Sequence, residues 1–200
     1  MKQFLIAAAV IAGLAAWAVG TNPAYSQRLV IDLPQGWVLG HQDEKDKTKF
    51  FEYVPEGQTV TNWTDMFSVM IYSRGRPLAQ ANSSFDPLGE AANFVTSRKE
   101  ILSEICEEAG VDNVHIQFGN PFILTMTAHC KKGKVTGKDE VMLYRVIFIE
   151  KGIFAILRSW AKSRVPSDVM SEWQARLGAY HVCDPGKPGT DCPESPFFLE

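Results

Sequence analysis

His129-Cys130 sets an imidazole beside a thiol, the pair that cysteine nucleophiles use, and is the first place in this 200-residue chain to look for chemistry. Neighbours on a strand point to opposite faces, so adjacency in sequence separates these two groups in space. A catalytic cysteine would also have to stay reduced, and no Cys-x-x-Cys motif is present. His181-Val182-Cys183 with Asp191-Cys192 can be drawn as a metal site, but in an oxidising compartment its two sulfurs bond to each other instead. Gly133 to Lys138 approaches a phosphate-binding loop and fails on three counts. Three residues rather than four separate the glycines, Asp139 stands where Ser or Thr is needed, and a strand follows where a helix should. No Gly-x-Ser-x-Gly elbow occurs, and Glu104, Glu107 and Glu108 read as the solvated face of a helix. The sequence thus predicts no catalytic residue, no metal site and no cofactor.

Trp37, Asn62, Trp63 and Asp65 are the candidate binding residues. Aromatic rings beside a polar, glycine-containing loop can rim a pocket for a small ligand or a partner segment, and the competing account is core packing and turn capping.

What must position these residues begins with the compartment. A run led by Lys2, apolar from Phe4 to Val19, ends at Ala24-Tyr25-Ser26, the small-residue pattern of signal peptidase, so residues 1–26 are predicted to be a signal peptide. Sixteen residues diluted by alanine and glycine fall short of the roughly 20 that span a bilayer, and the first cysteine, Cys106, lies too far along for lipid attachment. No stable membrane anchor is expected after cleavage. The mature chain of about 174 residues suits one domain, 27–182, followed by a tail, 183–200. Loss of Lys2 leaves 19 basic against 23 acidic residues, a charge of −4 spread along the chain, which excludes nucleic acid as a partner. The protein is expected in the periplasm or secreted.

Four cysteines in an exported chain point to disulfides, and four allow three pairings. Sequence order does not choose among them; local geometry prefers Cys183 with Cys192, which bracket a Gly- and Pro-rich segment, and leaves Cys106 with Cys130. In the chain-entropy model the two bridges contribute about 2.7 and about 3.5 kcal/mol.

Strands are predicted at 29–33, from 37, at 50–54 and over 63–72, as a meander broken by a charged turn at 43–47. Residues 74–87 read as an exposed loop. Apolar residues at three- and four-residue spacing predict a helix over 88–109, with Asp86 as N-cap, Gly110 as terminator and Cys106 on its buried face. Strands return at 115–118 and 122–131. The segment 141–149 is apolar on both alternating sets, which marks a central strand with a layer above and below. A hairpin partner follows at 153–160, and Ser167 is placed to cap a helix over 168–180. The fold class is α+β, an antiparallel sheet flanked by helices.

The opening Val-Ile-Asp-Leu-Pro-Gln-Gly-Trp at 30–37, followed by strands, a long helix, more strands and a terminal helix, is similar to the PsbP/Mog1-like group of α/β/α sandwiches. The segment from Phe51 to Met66, with Cys183-Asp184-Pro185, resembles uncharacterised secreted proteins of Gram-negative bacteria. The resemblance implies a binding or assembly role without a shared active site. The expected function is therefore an exported, non-enzymatic protein that binds an envelope or secreted protein partner or a small ligand, through loops around 57–65 and 74–87. The alternative is a periplasmic hydrolase or transferase whose site gathers distant residues such as Asp65, His115 and His129.

Overall fold

A strand apolar on both sides needs two covering layers, and both are present. In a computed structural model describing residues 27–74, 85–187 and 192–199, β7 (Glu140–Ile149) buries Leu143, Ile147 and Ile149 in one core. Met142, Tyr144, Val146 and Phe148 enter a second core on the opposite face. Around β7 the chain forms β1 (Arg28–Val30), β2 (Trp37–Lys45), β3 (Thr48–Pro55), β4 (Asp65–Ser73), α1 (Pro87–Ile105), β5 (Cys106–Gln117), β6 (Phe122–Gly133), β8 (Gly152–Trp160), α2 (Ser167–Ala179) and β9 (His181–Cys183). Seven strands make one antiparallel sheet in the order β2-β3-β4-β8-β7-β6-β5, so the fold is α+β as expected.

Each helix reaches the sheet through its apolar stripe. Trp173 and Leu177 of α2 join Phe67, Ile156 and Trp160 in the first core, and Ala91 and Leu102 of α1 join the second. Each large apolar side chain buried in this way contributes about 1.5–3 kcal/mol. Asp86 caps α1 as predicted, its carboxylate accepting from the Gly89 N–H at 3.0 Å. The chain beyond α2 also packs on the first core: Phe197 and Leu199 are buried, and the Leu199 N–H donates to Gln27 O at 2.9 Å.

Five local expectations are corrected. The helix stops at Ile105, and residues 106–117, read in part as helix, form β5 against β6. Long-range pairing overrides the local period there, because Ala109, Gly110 and Val111 lie opposite Cys130, His129 and Ala128. Gly110 is not a helix terminator: the His129 ring stands on it, and a Cβ would lie 2.4 Å from that ring's Cε1. The first strand does not join the meander but pairs with β9. The turn expected at 43–47 narrows to Asp46-Lys47, with Asp46 at φ 54°. Pro166, not Ser167, occupies the N-cap of α2, without a side-chain cap. The outer strands are both irregular: register shifts between Leu39 and His41 in β2 and between Asp112 and His115 in β5.

Both disulfides form with the preferred pairing, Cys106–Cys130 and Cys183–Cys192. The first joins adjacent strands, since Cys106 opens β5 where it was expected to end a helix. No helix among the described residues is long and apolar enough to cross a membrane. The leader expected at 1–26 lies outside the described residues.

Tyr144, deep in the second core, has its hydroxyl pushed up to about 12 by burial, and it donates to Met142 Sδ at 3.4 Å. The folded state then holds this proton more tightly than the unfolded chain, whose tyrosines ionise at about 10. Stability from this group is intact below pH of about 10 and declines as pH rises toward 12. Ultraviolet titration should find Tyr144 among the last of the five tyrosines to ionise, together with unfolding. Alkaline unfolding left unchanged by Tyr144→Phe would contradict this.

Candidate functional site

Of the four predicted binding residues, two meet and two are spent locally. Asn62 belongs to a tight turn, its N–H donating to Thr59 O at 3.0 Å, while the Thr64 N–H donates to Gln58 Oε1 at 2.7 Å. Trp63 is 5% exposed and packs with Val54 and Met66; Lys138 Nζ donates to its carbonyl at 2.9 Å and lies 5.7 Å from its ring centroid. Trp63 is thus part of a small core, and the backbone of Asn62 is used within its turn.

Trp37 and Asp65 converge on Arg158 of β8, a residue that sequence reasoning missed. Its guanidinium sits 4.8, 4.8 and 4.5 Å from the ring centroids of Trp37, Trp160 and Trp173. Nη2 donates to Asp65 Oδ1 at 2.6 Å, and Nη1 donates to Met66 O and Ser159 O at 3.3 and 3.0 Å. Burial pulls Arg158 below the ordinary arginine range and Asp65 opposes that pull. Three aromatic faces, a carboxylate and two carbonyls compensate this buried charge and leave only Nε without an acceptor, so the residue reads as a structural node.

The residues of the enzymatic alternative do not come together. Asp65, Trp160, Val141 and His129 lie in one row across β4, β8, β7 and β6, which separates Asp65 from His129 by three strand spacings, about 14 Å. His115 pairs with Thr125, four residues along β6 from His129, about 13 Å away. His129 instead meets Asp112 Oδ2 at 3.1 Å on the open surface. No cluster of three metal-ligating side chains occurs among the described residues.

Two open clefts lie elsewhere, one of about 300 Å³ between α1 and β5, lined by Lys99, Ser103 and Asp112, and one beside α2. α2 covers only part of its face of the sheet, and beyond it the floor of β5, β6 and β7 forms a cleft of about 270 Å³, at the small end of ligand pockets. Thr125 and Thr127 of β6 and Arg145 of β7 make the floor, His115 and Gln117 of β5 the outer side, and Gln174 and Gly178 of α2 the opposite wall. The register shift in β5 sits at this point, with Asn113 at φ 52° and its Nδ2 donating to Thr127 Oγ1 at 2.9 Å. Bulges of this kind re-aim side chains next to sites.

Arg145 has none of the compensation given to Arg158. Its Nε is buried without an acceptor, as that of Arg158 also is, but no ion pair to it occurs among the described residues, and burial alone lowers its pKa, with no carboxylate acting against the shift. The sequence held one signal for it. In the series Val141, Leu143, Ile147, Ile149, Arg145 occupies the missing place, a cation on the apolar side of a central strand. Its lack of a partner is visible only in three dimensions.

No family model and no curated protein sequence matches the chain. Among solved structures it is similar to the Ran-binding protein Mog1p of Saccharomyces cerevisiae, at 12% identity over 80% of this chain and 97% of that one, with a TM-score of 0.47. It is also similar to the cyanobacterial PsbP of Synechocystis sp. PCC 6803, at 14% identity over 85% of this chain and 99% of that one, with a TM-score of 0.46.

Proposed function

We propose that this is an exported, non-enzymatic protein that binds a small ligand in the cleft between α2 and the β5–β7 floor. The observation that carries the proposal is Gly178. This glycine lies within α2, has no positive φ, and a Cβ added to it would meet nothing within 4 Å. Neither backbone geometry nor close packing requires glycine there, although glycine weakens a helix relative to alanine. What the bare position provides is space over the cleft floor. Two disulfides fit an extracellular or lumenal location and agree with export.

A protein partner docked on the loops around 57–65 and 74–87 has less support. The side chains of Gln58, Thr59, Thr61 and Thr64 are engaged within the turn, and residues 75–84 lie outside the described residues. The hydrolase or transferase alternative loses its motivation with the separation of Asp65, His115 and His129.

Two substitutions test the proposal. Gly178→Ala should raise stability by about 0.5 kcal/mol, since the position is near a helix end where propensity counts less. Gly178→Leu should fold equally well and fill the cleft. In two-dimensional NMR, fragments of a small-molecule library should shift the amides of Thr125, Thr127 and Gly178 saturably in the native chain and leave those of Gly178→Leu unmoved. Binding that survives Gly178→Leu, or that maps only to the α1 face, overturns the proposal.

A further inference from the structure

Resting on the cleft proposed above, the geometry points to a ligand of one chemical class: a small, hydroxylated monocarboxylate whose carboxylate pairs with Arg145. Two arginines stand on the same face of neighbouring strands, Arg158 on β8 and Arg145 on β7. The fold closes the first with a carboxylate, two carbonyls and three indoles. Nε is buried without an acceptor on both, but the second has no carboxylate, carbonyl or ring on its guanidinium among the described residues and lines the cleft. A half-buried guanidinium without a counterion is poorly compensated, and a planar carboxylate accepting two parallel N–H bonds from its terminal nitrogens is the group that matches its fork.

The remainder of the cleft narrows the class. No Asp or Glu lines it, so a ligand ammonium would find no partner. No lysine lines it either, and its wall is the last turn of α2, where the helix dipole places partial negative charge. One cation facing that charge suits a monoanion better than a phosphate dianion. His115, Gln117, Thr125 and Gln174 make no side-chain hydrogen bond among the described residues and supply donors and acceptors suited to ligand hydroxyls. The volume of about 270 Å³ fits a single sugar-sized molecule.

The test uses the mature chain and matched probes: glucuronate and galacturonate against glucose and galactose, with glucose 6-phosphate and inorganic phosphate as the other anions. The readout is the Arg145 Nε–Hε signal together with the cleft amides. Each uronate is expected to shift that signal and to bind about tenfold or more tightly than its neutral hexose. Arg145→Gln should erase the preference without lowering the melting temperature, since it removes a charge that has no partner, and Arg145→Lys should restore part of it. Equal binding of uronate and hexose, a preference that persists in Arg145→Gln, or silence from both uronates at millimolar concentration overturns the carboxylate assignment. So does tighter binding of either phosphate. In each of these cases fragment binding that Gly178→Leu abolishes would leave the cleft standing, whereas binding that survives Gly178→Leu removes the cleft itself.

Discussion

Replacing Asp65 with alanine should lower the free energy of unfolding by about 3 kcal/mol, measurable as a reduced urea midpoint at unchanged slope. Arg158 is 4% exposed, and Asp65 is the one carboxylate in contact with its guanidinium among the described residues. Removing it leaves a desolvated cation held by two carbonyls and three aromatic faces, which compensate only part of the charge. The lower end of the usual range for a broken buried pair applies because the Asp65 side chain keeps 26% of its exposure. The companion Arg145→Gln provides an internal contrast, since it removes a cation that has no partner among the described residues and should cost nothing. A midpoint in Asp65→Ala within about 0.5 kcal/mol of the native protein would show that the indoles and carbonyls alone hold Arg158.

Removing the Cys106–Cys130 bridge should be of similar size. A separation of 24 residues corresponds to about 3.5 kcal/mol of unfolded-state entropy, and both sulfurs leave a buried site. The double variant Cys106→Ala, Cys130→Ala should lose that amount, and hydrogen exchange should locate the loosening at the start of β5. The Cys183–Cys192 bridge spans a separation of nine residues and should cost about 2.7 kcal/mol when removed. If deleting the shorter bridge proved the more damaging, the loop-entropy account would fail and the burial of Cys183 opposite Arg28 would have to carry the difference.

Much of this fold was legible along the chain because its strongest signals are local. Two apolar sets in 141–149 announced a sheet with two covers, and Asp86 announced the start of α1. The compartment and the neighbouring sequence were enough for the cysteine pairing. The failures share a cause. Leu102, Ile105, Cys106 and Ala109 keep a helical period across a boundary that exists only because β6 offers its edge to residues 106–117. Leu29 looked like the first strand of a meander, but its partner at His181–Cys183 is 150 residues away. The candidate site was harder still. Tryptophans 37 and 63 drew attention as aromatic residues beside turns, yet one flanks a satisfied arginine and the other is core. Arg145 and Gly178 were unremarked, since the first matters through the partner it lacks and the second through the atom it lacks.

The two irregular outer strands bear on how the protein behaves when crowded. A flat sheet with seven hydrogen-bonded strands would offer an unsatisfied backbone row on each flank, a template onto which another molecule could zip. Here the shift at Gly40 kinks one flank just before the polar run His41-Gln42-Asp43-Glu44-Lys45, and the shift at Asn113 kinks the other. The straight register is thereby cut to residues 41–45 on one flank and 106–112 on the other, which shortens the row that a foreign strand could pair with.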